Sequence, residues 1–409
     1  MHLKKKFLHL YFILLCSSIT LSAQAEGPKL NIWQYHKSSS FFSSQKEVYG
    51  VQETSVGVNA TYFLSNLTSN LSFKVDKDGE FNFDKSYLEY KRNNQKFGLG
   101  KVDRHWSFSP KSSLFLSKNA RPANSVYFQY LNTKARNESF LKNLKPTSFE
   151  IFNSLTKNIT GPQDSMMVGA RIVINPIKKL KFELINISQW GGKEYDRSLS
   201  GLLPALITDT NNGNNSHINR VAGIGISYST NYKTYQTNLY GQLLGEDEAG
   251  NLPYCFIYLA GFEVTQPYSK YYKKFGFEVT DTRTSLSSAG NCGPNSAYNN
   301  QIYDYTNHGK VLGVPIDTGS KSAAVWASAK LSPTLTINYQ LKYLLINDSN
   351  WAEHRLTSSR QKGYLNTASI AFNKGKFQLS GEISFENIIL DKVKNSGDLG
   401  IGMYTSINF

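Results

Sequence analysis

The clearest regularity in this chain is a period of two near its C-terminus. Leu399, Ile401, Met403, Ile407 and Phe409 alternate with small or polar residues, Thr405 being the one weak member. Phe377, Leu379, Ile383 and Phe385 repeat the pattern, and so do Tyr364, Ala368, Ile370 and Phe372. Upstream, Leu335, Ile337, Tyr339, Leu341, Tyr343 and Leu345 form a fourth run, with Ala323, Val325, Ala327, Ala329 and Leu331 a fifth. A period of two sends alternate side chains to opposite faces of a strand. Strands of ~10 residues with one apolar and one polar face have the dimensions of a transmembrane barrel.

The connections support the same reading. Asn373-Lys374-Gly375-Lys376 and Ser332-Pro333-Thr334 are tight, whereas 304–320, 347–362 and 386–398 are long and polar. Outer-membrane barrels have short periplasmic turns and long outside loops. With Phe409 ending in the periplasm, each tight turn of this third falls on that side. Working backward, strands are predicted at 273–283, 254–264, 235–244, 220–230, 180–189, 166–175, 147–153, 124–132, 95–102, 81–92, 70–76 and 55–64, with one more within 28–52. The fold class is thus an all-β transmembrane antiparallel barrel of about 18 strands, or 16 if the two shortest are mispaired. Two stretches break the alternation. Residues 197–208 predict a short helix before the loop tip at 211–215, and 103–124 predict a segment lying against the mouth or inside the lumen.

Composition adds an address. Lys4, Lys5 and Lys6, an apolar stretch from Phe7 to Cys16, and the small residues of Ser22-Ala23-Gln24-Ala25 form a secretory leader, so residues 1–25 are removed and 26–409 form one barrel domain. No later apolar run approaches the length of a membrane helix. The formal charge is +15, three of which leave with the leader. An exported chain meets no nucleic acid, so anionic glycan or lipopolysaccharide phosphate is the expected partner, with surplus lysine on solvated turns the simpler alternative. Outer-membrane lipid surrounds the barrel, the assembly machinery reads Phe409, and a monomer is expected. Cys255 and Cys292 remain after cleavage; an oxidising periplasm allows a disulfide between them or two separate thiols.

Chemistry-bearing motifs are few. G-x-S-x-G, H-E-x-x-H and a phosphate-cradling glycine loop are all absent from the sequence. No catalytic residue, metal ligand or cofactor is therefore assigned. Glu246, Asp247 and Glu248 make the densest acidic cluster, between two strong strands. Carboxylates there can accept sugar hydroxyls or a cation, or simply neutralise arginines of the lumen. Trp106, Trp190, Trp351, Tyr298 and Tyr303 fall at or beyond strand ends. Aromatic faces stack on sugars, and equally they anchor barrels at the membrane interface. Trp190, directly at a strand end, is assigned to the girdle; Trp351 and Trp106 are left between the two roles.

Several ordered blocks resemble the Wzi-type outer-membrane capsule assembly family. They are Phe97-Gly98-Leu99-Gly100 with Arg104, Trp106 and Pro110; Ser113 through Arg121-Pro122; Ser188-Gln189-Trp190-Gly191-Gly192; and Leu239 through Gly250 continuing to Leu259-Ala260-Gly261-Phe262-Glu263. Phe277 to Thr282, Tyr298-Asn299, Ile302-Tyr303 and Val311-Leu312-Gly313 follow in order. One departure is Ser107 after Trp106, where the family usually has Gly. The resemblance implies a lectin-like barrel, partly closed by short helices, that attaches capsular or related surface polysaccharide. Candidate polysaccharide contacts are Trp106, Arg121, Glu246, Asp247, Glu248, Tyr298, Tyr303, Lys310 and Trp351. A diffusion porin for sugars or anions is the first alternative, and an outer-membrane hydrolase the second. N-terminal sequencing of exported protein is expected to begin at Glu26; an uncleaved Met1 would refute the leader.

Overall fold

The computed structural model describes residues 28–38, 54–132, 146–158, 161–207, 217–249, 252–268, 271–284, 292–300, 302–393 and 398–409. The proposed leader lies outside them. The strands are β1 (Lys29–Lys37), β2 (Ser55–Leu64), β3 (Leu67–Asp76), β4 (Phe81–Asn82), β5 (Tyr87–Arg92), β6 (Gln95–Lys101) and β7 (Asn124–Leu131). They continue as β8 (Pro146–Leu155), β9 (Met166–Ile177), β10 (Leu180–Trp190), β11 (Asn219–Tyr232), β12 (Tyr235–Ala249), β13 (Leu252–Tyr268) and β14 (Tyr271–Asp281). A small hairpin, β15 (Thr306–Asn307) with β16 (Lys310–Val311), precedes β17 (Lys321–Lys330), β18 (Leu335–Ile346), β19 (Gln361–Lys374), β20 (Phe377–Glu386) and β21 (Asp398–Asn408). One helix, α1 (Leu199–Ile207), is inserted between β10 and β11.

Each large strand pairs antiparallel with its neighbours in sequence, and β1 pairs with β21 from Asn31↔Asn408 to Lys37↔Gly402. The sheet therefore closes on itself. In hydrocarbon a free strand edge leaves backbone groups unsatisfied, so closure is the only stable form. The segment expected as one strand at 81–92 is broken into β4 and β5, which both pair with β3. Together they make one stave, and the barrel has 18, not 16. Connections 65–66, 93–94, 178–179, 233–234, 331–334 and 375–376 are short and lie at one end, taken as periplasmic; the 77–80 link between β3 and β4 is a short turn at the other end. Phe409 lies at that end too, its amide donating to Leu30 O at 2.8 Å.

Side-chain parity separates lipid from lumen. Ile224, Ile226, Leu239, Phe275, Ile370, Leu379, Ile383, Leu399 and Ile401 are exposed on the outer wall. Tyr232 and Tyr235 flank the 233–234 turn and Tyr271 opens β14, all three exposed at the periplasmic rim. These tyrosines occupy an interfacial position. Trp190 does not join them, contrary to expectation. It is 2% exposed because α1 lies over it. By strand parity Trp190, Val168 and Arg220 face outward, so the helix is strapped to the outer wall of the barrel. Arg220 fixes it there, donating to the Pro204 and Ala205 carbonyls at 3.0 Å each and so satisfying groups at the helix C-terminus.

On the inner wall, large aromatics face glycines directly across the sheet: Trp33↔Gly57, Tyr127↔Gly98, Phe152↔Gly169, Tyr240↔Gly261 and Trp326↔Gly276. A Cβ on Gly276 would stand 2.1 Å from the Trp326 ring, and one on Gly98 2.1 Å from the Tyr127 ring. The missing side chain lets each ring lie along the wall, a cross-strand pairing that fixes register. Gly381, by contrast, has nothing nearer than Ile370 Cγ2 at 3.8 Å. Gly276→Ala is therefore expected to destabilise the barrel by about 1–3 kcal/mol through overpacking, seen as an earlier loss of heat-modifiable gel mobility. Gly381→Ala should be near neutral, and equal effects of the two would refute this account.

Candidate functional site

The segment 102–123 between β6 and β7 enters the lumen as a plug. Two inward-facing wall carboxylates and one amide hold it. Glu150 accepts Arg104 Nε at 2.8 Å on one oxygen and Trp106 Nε1 at 3.1 Å on the other. Gln242 donates to Trp106 O at 2.7 Å and accepts Leu114 N at 2.7 Å, bonding also to Glu183, itself ion-paired with Arg171. Glu278 accepts from Ser109 Oγ and from the Tyr240 hydroxyl. The Arg104 guanidinium stacks on Phe152, 4.1 Å from the ring centroid. Charges buried in a lumen are tolerable only when paired in this way.

A roof formed by 292–320 and 347–360 covers the plug. Tyr298 stacks on Tyr305 with centroids 5.7 Å apart and donates to Leu114 O at 2.7 Å. Plug and hairpin are stitched by Ser117 N to Leu312 O at 2.8 Å and Asn119 Nδ2 to Val311 O at 2.8 Å. Asn307 Nδ2 reaches Arg121 O at 2.7 Å. Cys255 on β13 and Cys292 are joined, their Cα atoms 5.5 Å apart, which decides the alternative left open by the sequence. The two roof segments meet at Arg355. Its Nε donates to Asp317 Oδ2 at 2.8 Å and its Nη2 to Tyr298 O at 3.2 Å, while Nη1 lies 3.6 Å from Asp304.

Burial works to raise the Asp317 carboxyl, and the Arg355 guanidinium outweighs it, holding the group below its ordinary value of 3.8. Burial raises Asp304, with Arg355 opposing. His308 is half-buried; desolvation first, then the nearby Arg121 and Lys157, push it down to about 4, and it is neutral at physiological pH.

The expected contacts divide sharply. Trp106, Tyr298 and Tyr303 are at most 1% exposed, so in this structure none offers a ring face to a sugar. They pack plug and roof instead: Trp106 lies edge-on to Phe152 and Tyr303 donates to Gly191 O at 2.8 Å. Arg121 is partly exposed and bidentate on Asp84, with Nε–Oδ2 at 2.7 Å. Lys310 is half-buried on β16. Glu246 is buried, and its charge helps hold the Arg355 guanidinium, the neutralising role considered above. The acidic cluster is not a loop, because β12 and β13 stay paired out to Ala249↔Leu252; the side chains of Asp247 and Glu248 lie outside the described residues. Trp351 is half-buried on the roof, its amide held by Asn347 Oδ1 at 2.7 Å. Arg355 and the plug's wall partners escaped the sequence reading. The signal for the latter was available, since Glu150, Gln242 and Glu278 occupy polar positions of alternating strands.

These features define a class: a closed outer-membrane β-barrel whose outer mouth is plugged and roofed by its own loops. The sequence profile described as "Capsule assembly protein Wzi" matches residues 25–398, and the chain belongs to that family. A protein from the capsule (cps) region of Klebsiella pneumoniae, described only as an uncharacterized 55.8 kDa protein, is 27% identical over 216 residues. The match spans 52% of this chain and 43% of that relative, less than half its length. Among solved structures, Escherichia coli Wzi superposes with a TM-score of 0.79 at 22% identity, covering 93% of this chain and 84% of its own. That protein is characterised as an outer-membrane carbohydrate-binding β-barrel involved in group 1 capsule assembly. Pseudomonas aeruginosa OccK2, solved with glucuronate, shares the barrel at a TM-score of 0.53 and 10% identity, covering 94% of this chain and 98% of its own.

Arg355→Ala leaves Asp317 buried without its cation, so roof stability is expected to fall by about 3–5 kcal/mol. Hydrogen exchange should then accelerate at 298–305 and 347–357 while the strands keep their protection. A depressed carboxyl stabilises fully above pH 3.8 and loses its contribution as pH falls through the lower folded-state value. Roof protection in the unaltered protein should accordingly persist from pH 7 to 4 and fail below; loss near pH 6 would contradict this.

Proposed function

We propose that this barrel is a non-enzymatic, lectin-like holder of capsular or related surface polysaccharide on the outer membrane. The observation that carries the reading is the plug held in the mouth. A segment bonded to Glu150, Gln242 and Glu278 is built to stay in place, which suits a holder better than a diffusion pore. Two further features favour it. Trp351 stands half-exposed on the roof, and the positive charge that remains once the leader takes three of the +15 away attracts acidic polymers. Family membership and the carbohydrate-binding character of the E. coli relative support the same conclusion. Many weak contacts along a repeating polymer suffice for retention, because each bound repeat raises the local concentration of the next.

Deletion of the gene is expected to release polysaccharide into the medium without stopping its synthesis, measured as the ratio of cell-bound to free polymer. Unchanged cell-bound polymer would sink the proposal. Trp351→Ala should lower retention several-fold with heat-modifiable mobility intact. The porin alternative predicts a large stable conductance in planar bilayers, whereas the plug predicts little or none.

A further inference from the structure

Beneath the plug lies a lumen cavity of ≈ 490 Å³, walled on its other side by β17 to β20. The strand residues lining it run from the middle of those strands toward the short turns. Trp326 is four residues from the turn end of β17, Glu382 five from that of β20, and Lys342 seven from that of β18. At about 3.3 Å per residue, this places the cavity wall some ~13–23 Å along the strands from the periplasmic rim. Trp351 takes no part in its lining, and of the roof segments only Pro315 reaches it.

Its chemistry is one-sided. Lys111 and Lys118 project from the plug and are exposed to the lumen, and Lys342 projects from the wall. Glu382 is the single carboxylate among the described lining residues. Three ammonium groups against one carboxylate inside low-dielectric walls concentrate a positive field where an anion would sit. The remaining groups suit a sugar more than a bare ion. Glu382 is 5% exposed; one of its oxygens accepts Ser384 Oγ at 3.0 Å, and the other, Oε2, has no hydrogen-bond partner among the described residues. A buried carboxylate oxygen left open is costly unless a donor fills it, and a sugar hydroxyl is such a donor. Gln340 adds an amide, and Trp326 lies along the wall over Gly276 with Lys111 Nζ 5.4 Å from its ring centroid. Aromatic wall, amide, open carboxylate oxygen and ammonium groups together match an acidic monosaccharide.

We infer that this cavity is a second, internal saccharide site that takes a sugar unit bearing a carboxylate. The lysines hold its carboxylate, and Glu382 and Gln340 hold its hydroxyls. The inference extends the polysaccharide-holding reading, on which its biological meaning rests, but the site is distinct from the roof.

Calorimetric titration of the purified full-length barrel with D-glucuronate, D-glucose and inorganic phosphate tests it. Glucuronate is expected to bind at least ten-fold more tightly than glucose, with affinity falling as salt rises. Lys118→Met combined with Lys342→Met should weaken glucuronate at least ten-fold, and Glu382→Gln several-fold, with heat-modifiable mobility retained. Lys118→Met alone, on an exposed side chain, keeps the test valid if the buried Lys342 substitution fails to fold, and should still weaken binding measurably. Binding unaffected by the lysine substitutions would overturn the site. Phosphate binding as tight as glucuronate would overturn its sugar selectivity. Failure of the roof reading appears as unchanged polymer retention on cells, and failure of this one as glucuronate binding indifferent to the lysine substitutions, so the two are read separately.

Discussion

Everything in this molecule follows from the closure of one sheet. A bilayer offers no hydrogen bonds to a backbone edge, so β1 must find β21. Closure makes an inside and an outside, and each strand then carries two different surfaces. The outer one is the exposed apolar set of Ile224, Leu379, Ile401 and their neighbours. The inner one is a polar wall with carboxylates at Glu150, Glu183, Glu278 and Glu382, beside glycines that make room for flattened aromatic rings.

A polar wall around an open lumen is the plan of a channel, and here the same wall groups serve to fill it. Glu150 holds Arg104 and Trp106, Gln242 holds the backbone at Trp106 and Leu114, and Glu278 holds Ser109. With those groups satisfied, the plug can bury Phe115 and Leu114 in an apolar core that continues into the roof through Leu312, Val314 and Ile316. The Arg355–Asp317 pair and the Cys255–Cys292 bridge then join the roof to itself and to the barrel. Glu382 stands apart from these pairs: it lines the cavity beneath the plug, and its buried Oε2 has no hydrogen-bond partner among the described residues.

Position along the barrel axis therefore separates three roles. The roof presents Trp351 outward, the plug seals the middle, and the lysine-lined cavity lies toward the periplasmic half. On the function proposed above, a polymer met at the roof would be held by shallow contacts on a rigid surface, and rigidity lowers the ordering cost of each contact. The buried aromatics serve that rigidity. Trp106, Tyr298 and Tyr303 stiffen the platform and do not themselves meet a ligand in this arrangement.

The sequence alone was enough for the barrel and its arrangement of short and long connections, and it narrowed the staves to 18 or 16, because a period of two is a local property. Alternation in β17 to β21 needs no knowledge of distant residues, and a closed barrel is the only membrane structure that uses it. It erred where alternation ran on through a break, as at 81–92, and where polarity imitated a loop, as at 245–250. Aromatic residues near strand ends were visible too, but not their direction. Whether Trp106 faces a sugar or Phe152, and whether Trp190 faces lipid or α1, depends on partners 44 or more residues away for the first and on a helix folded back over the outer wall for the second. Such contacts leave no periodic trace in the chain. The pairing of Arg355 with Asp317, the meeting of Cys255 and Cys292, and the placing of three lysines and Glu382 on the walls of one cavity were decided by the tertiary structure, since only closure brings those side chains into one space.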